Sequence, residues 1–68
     1  MKHEIGTRVI MVGATDETAD TSAMGKHGRV YEHNCNQLTG NTAEDPLHEV
    51  AFDDNTYGTF WYEELKAE

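Results

Sequence analysis

Sixty-eight residues carrying thirteen acids against five Lys and Arg give a formal charge of −8, enough chain for one domain spanning 1–68 and only a thin core, since a chain this short buries roughly 60% of its unfolded surface. The acid excess repels phosphate backbones, which sets nucleic-acid binding aside and favours a basic partner. No stretch is long and apolar enough to span a bilayer, the N-terminus lacks the apolar region of a signal peptide, and a single cysteine excludes an internal disulfide, so the expected location is a reducing cytoplasm.

The apolar residues fall into short runs rather than at helical spacing. The first run, "TRVIMV" (7–12), is rich in β-branched residues and follows Gly6. Residues 13–27 are small and polar and read as a long loop. "GRVYEH" (28–33) is the second strand, followed by another long polar loop over 34–46 that holds the only proline. "LHEVAF" (47–52) and "YGTFWY" (57–62) are the third and fourth strands. Between them, Asp54-Asn55 suits a two-residue turn because Asn tolerates a positive φ. "YEEL" (62–65) reads as a short 3-10 turn before a brief last strand at Leu65–Ala67.

Period-two alternation selects the interior. Val9 and Met11, Val30, Val50 and Phe52, Phe60, and finally Leu65 face inward. Tyr57 and Trp61 have the opposite parity to Phe60 and belong on the outer face or at the mouth. Five short strands of this kind are best closed as a small all-β barrel, which limits exposed edges. With no disulfide and no zinc-ligand spacing to brace so small a core, self-association is the remaining common support.

The order of the pieces resembles the SH3-like barrels. "IGTRVIMV" resembles their opening Gly-Asp-x-Val-x-Val strand, "GKHGRVYE" their Gly-Lys-x-Gly-x-Val second strand, and "DPLHEVAFDD" a Pro-Leu-Tyr-x-Val-x-Phe-Asp pattern. The triple is most similar to the C-terminal barrel of the nitrile hydratase β subunit. That group also holds small electron-transport accessory proteins such as the variable chain of ferredoxin–thioredoxin reductase. The likeness covers most of residues 5–53, and "GTFWYEEL" is similar to a segment of other SH3-like modules. It implies a five-stranded SH3-like barrel and an accessory or partner-docking role. It implies no metal centre in this chain, because the metal cysteines of nitrile hydratase belong to the other subunit.

Aromatics beside acids suit a proline-rich peptide with basic flanks, or an alkylammonium group held by cation–π contact. The contact surface expected here is Tyr31, Tyr57, Trp61 and Tyr62, with Asp53, Asp54 and Glu63 steering a basic protein partner. Phe52 is assigned to the core. His33 and Cys35, with His48 and His27 approaching, are the nearest approach to a metal-ligand set, but their spacing matches no strong motif, and the reading is of a loop thiol beside an imidazole. Nothing specifies an oxyanion hole for Cys35. The acids Asp53, Asp54, Glu63 and Glu64 read as a solvated face rather than a carboxylate pair for hydrolysis. No catalytic residue, cofactor or metal is therefore expected in the single chain, and the expected function is a non-enzymatic adaptor. Two alternatives stand beside it: a homo-oligomer that shapes a small-molecule or enzymatic site between barrels, as the plasmid-borne dihydrofolate reductases do, and an acidic decoy that occupies a nucleic-acid-binding protein. The Val-Gln-Ile-Tyr segment of those reductases does not occur here.

Overall fold

The structure is a computed structural model that describes residues 1–13, 23–35 and 40–68. Five strands form one antiparallel sheet: β1 (Arg8–Met11), β2 (His27–Asn34), β3 (Leu47–Phe52), β4 (Tyr57–Phe60) and β5 (Leu65–Ala67), with a 3-10 turn at Tyr62–Glu64 before β5. The all-β expectation holds, and the 3-10 turn falls where the sequence places it. No helix among the described residues is long and apolar enough to cross a membrane. The strand order is β4-β3-β2-β1-β5, a meander whose last strand returns beside the first.

The interior follows the alternation. Val9, Met11, Val30, Val50, Phe52, Phe60 and Leu65 are all buried. Ala23, inside the expected first loop, joins them. There the β1–β2 pairing continues past the strand ends, with the Gly25 N–H donating to the Met11 carbonyl and the Met11 N–H to that of Lys26. The rest of the two long loops, 14–22 and 36–39, lies outside the described residues.

Two glycines permit close approaches within the sheet. A Cβ at Gly28 would lie 2.6 Å from the Ala51 carbonyl oxygen, so the backbones of β2 and β3 approach too closely there for any side chain. A Cβ at Gly58 would lie 2.4 Å from the Phe60 ring, which occupies the space above it. Phe60 meets Phe52 edge to face at 5.7 Å, a geometry that adds about 0.5–1.5 kcal/mol to the area the rings bury.

The hairpin turn differs from the two-residue form expected at Asp54-Asn55. The Asn55 N–H donates to the Phe52 carbonyl and the Phe52 N–H to that of Thr56, which makes a three-residue loop, 53–55. Asn55 does take the positive φ, 68°, as the bulge residue that follows a type I turn. The Asp54 carboxylate fixes this form by accepting from both the N–H and the hydroxyl of Thr56. The fourth strand is also shorter than expected and stops at Phe60. The Trp61 N–H turns away to the buried Glu64 carboxylate at 2.7 Å, which starts the 3-10 turn.

One irregularity decides which side chains meet. Val30 pairs with Val50, but Glu32, not Tyr31, pairs with Glu49. Tyr31 is thus the extra residue of a β-bulge. Tyr31 and Glu32 are both exposed, and the alternation restarts with His33 turned inward opposite His48.

Candidate functional site

The outward residues of β2, β3 and β4 form one patch. Register sets Arg29 beside Ala51 and Ala51 beside Tyr57, and sets Glu32 beside Glu49 and Glu49 beside Thr59. The bulge carries Tyr31 into this row, where its ring meets that of Tyr57 at 5.9 Å and nearly perpendicular, 81°. Both stay open to solvent, Tyr31 at 45% and Tyr57 at 70% relative exposure. Glu49 accepts a hydrogen bond from the Thr59 hydroxyl at 3.0 Å. Lost hydration raises the Tyr31 phenol above its ordinary range, and the negative charge of Glu49 raises it further, with a smaller push from Glu32. Glu32 and Glu49 make no ion pair among the described residues. The one cation in the row, Arg29, sends its guanidinium to the Gly6 carbonyl.

The seven residues expected at the contact surface divide into three groups. Tyr31 and Tyr57 are brought together. Asp53 and Asp54 lie on the hairpin loop, each engaged with a cation. Arg8 grips Asp53 with two parallel bonds of 2.8 Å, and these hold the Asp53 carboxyl below its ordinary value. Asp54 pairs with Lys26 at 2.9 Å; the Thr56 hydroxyl first, and Lys26 second, hold it at about 2. Trp61, Tyr62 and Glu63 belong to the far end of the sheet, where Trp61 and Tyr62 are half-buried and Glu63 is exposed on the 3-10 turn. Glu32 and Glu49, which the sequence reading passed over, are the acids that flank the tyrosine pair. For Glu49 the signal was available, since it alternates with inward Val50.

At that far end three imidazoles converge around the N-terminal segment. His48, on the inward row of β3, is completely buried. The backbone N–H of His3 donates to its Nε2 at 2.9 Å, and its Nδ1 faces the Phe60 carbonyl at 3.3 Å. His33 Nε2 donates to the His3 carbonyl at 2.6 Å. The His3 ring stacks on Tyr62 at 4.4 Å, and its Nε2 lies 3.3 Å from the Tyr62 carbonyl and 3.2 Å from that of Leu65. Burial pushes the His48 imidazole below its ordinary value; His3 and His33 add to this, and the Phe60 carbonyl and Asp45 oppose it. The residues weighed as a metal set separate here. His33 turns inward, while Cys35 is exposed with its thiol directed at the Thr42 carbonyl. Both nitrogens of His48 are already engaged by backbone groups.

No known protein family, curated protein or solved structure matches this chain.

Proposed function

We propose that the protein is a small adaptor that binds a basic, extended segment of another protein on the face formed by Tyr31, Tyr57, Glu32 and Glu49. The observation that carries this reading is the exposed tyrosine pair flanked by two carboxylates that have no ion-pair partner among the described residues. Two perpendicular rings present a π face to a Lys or Arg head group, a contact worth about 0.5–1 kcal/mol at exposed sites. The adjacent carboxylates add charge-assisted hydrogen bonds, and the net charge of −8 draws a basic partner in.

The position of the patch adds a second source of affinity. β4 is a terminal strand of the sheet, and the hairpin register directs the backbone groups of Tyr57 and Thr59 away from β3. An extended segment lying along β4 can take up those groups as an added strand while its basic side chains reach the tyrosines. We read the five-strand meander as an SH3-like barrel, a fold compatible with an accessory role in a reducing compartment.

The test is chemical-shift mapping on labelled protein with short synthetic Arg- and Lys-containing peptides, with an acidic peptide of equal length as control. Shifts concentrated at Tyr31, Glu49, Tyr57 and Thr59, lost in Y57A, support the reading. Equal shifts with the acidic peptide, or unchanged binding by Y57A, reject it.

A further inference from the structure

The N-terminal segment is held by a residue whose bonding pattern admits only one charge state. His48 occupies a β3 position that alternation would give to an apolar side chain, beside Val50 and Phe52, and it has no exposure to water. Its two ring nitrogens face partners of fixed character. The His3 N–H can only donate, so Nε2 must offer a lone pair; the Phe60 carbonyl can only accept, so Nδ1 carries the proton. This is the neutral imidazole with its tautomer set at both ends. A second proton could go only on Nε2, where it would point at the His3 N–H and turn a bond into a donor–donor clash.

The surroundings sharpen this. Among the described residues, His3 on the N-terminal segment, His33 on β2, Tyr62 on the 3-10 turn and Asp45 ahead of β3 are the titratable groups that face His48. Two of the four are imidazoles at centroid distances of 5.4 and 5.2 Å, and each becomes a like charge as it takes up a proton. Asp45 is the one carboxylate among them. His3 is itself secured at its N–H, its carbonyl and its ring, and the first and second of these attachments are to His48 and His33.

We infer that His48 is a proton-operated latch: its neutral form holds the N-terminal segment across the end of the sheet, and its protonation releases that segment and uncovers the ring of Tyr62. The step is proton uptake from water at Nε2 with loss of the His3 N–H bond, and it needs no other reactant. The strands beneath are held by their own ladder and core, so release is local.

The test is amide hydrogen exchange on the labelled full chain from pH 8 to pH 5, corrected for the intrinsic pH dependence of exchange, with the His48 ring nitrogens followed in parallel. The expected result is that protection at the His3 amide falls about tenfold per pH unit once the pH drops below the value for a free imidazole, while Val50 stays far better protected than His3 at every pH. H48Q keeps a carbonyl oxygen near the Nε2 position and cannot charge, so its His3 protection stays level over the same range. Constant His3 protection in the unaltered protein overturns the inference, and so does equal protection at His3 and Val50 throughout, which would mean general unfolding. A pH response in H48Q equal to that of the unaltered protein overturns it as well. Should H48Q not fold, the contrast between His3 and Val50 in the unaltered chain decides alone.

Discussion

The β2–β3 ladder is tied at both of its ends, and the two ties are built from opposite materials. At the end where Gly28 meets Phe52, full charges do the work: Arg8 with Asp53 and Lys26 with Asp54. Each of these side chains keeps about a third or more of its surface in water. At the end where Asn34 meets Leu47, imidazoles bond to backbone groups, His48 wholly out of water and His33 half-buried. Water screens the first set and leaves it little net worth. The bond between His48 and the His3 N–H has no water to fall back on, so losing one partner strands the other at the full cost of desolvation. A small acidic chain thus places its ions where they are cheap to break and its buried polar contact where it is not.

Substitutions should reproduce that ranking. The largest effect is expected at Phe60, which serves the core through its ring and the imidazole end through its carbonyl. Phe60→Ala should cost about 3–5 kcal/mol in a urea titration, and a loss as small as that of a surface change would show that the ring is not a core element. Next is His48→Leu, which keeps the volume roughly constant but removes the acceptor for the buried His3 N–H. About 1–3 kcal/mol should be lost, with the loss concentrated in residues 1–6 by hydrogen exchange.

The two ends should also separate along the pH axis. His48 titrates lower in the folded protein than its ordinary 6.5. The unfolded chain therefore takes up that proton first, and the contribution of His48, complete above about pH 6.5, is lost as the pH falls through the folded value. Asp53 and Asp54 are also held low, so their contribution is complete above the ordinary carboxylate range and is lost below it, for Asp54 as the pH falls through about 2. Urea midpoints measured against pH should descend in two stages, with H48Q abolishing the upper stage and D53N/D54N the lower. A single descent unaffected by H48Q would remove the distinction between the ends. The smallest effect belongs to Arg8→Gln, which should shift the urea midpoint less than either core change and not at all in 1 M salt, roughly where the Debye length shrinks to about 3 Å.

Much of the fold was legible because it rests on local rules. Alternation placed seven interior side chains, Val9 through Leu65, and the short 3-10 turn fell where "YEEL" stands. The hairpin loop was one residue longer than expected because the Asp54 carboxylate engages Thr56, a choice between turn types that Asn55 alone does not settle. The site was legible only in part. The pairing of Tyr31 with Tyr57 depends on an unpaired residue in β2, which no periodicity reports. Asp53 and Asp54 looked free to steer a partner, yet Arg8 and Lys26 are forty-five and twenty-eight residues away in the chain and reach them only once the sheet has formed. His48 could have been placed inside by its alternation with Val50. His33 could not, because the bulge reverses its side, and His3 lies outside every strand.

That bulge makes β2 sensitive to counting. Remove Tyr31, and every later residue of the strand keeps its partner across the ladder but no surplus residue remains outside to feed the aromatic row. Remove instead the compensation, by restoring regular pairing from Val30 onward, and Glu32 is driven inward while His33 swings out to solvent. A single slipped position would then put a carboxylate under the N-terminal segment in place of an imidazole. In this strand the number of residues matters alongside their identity.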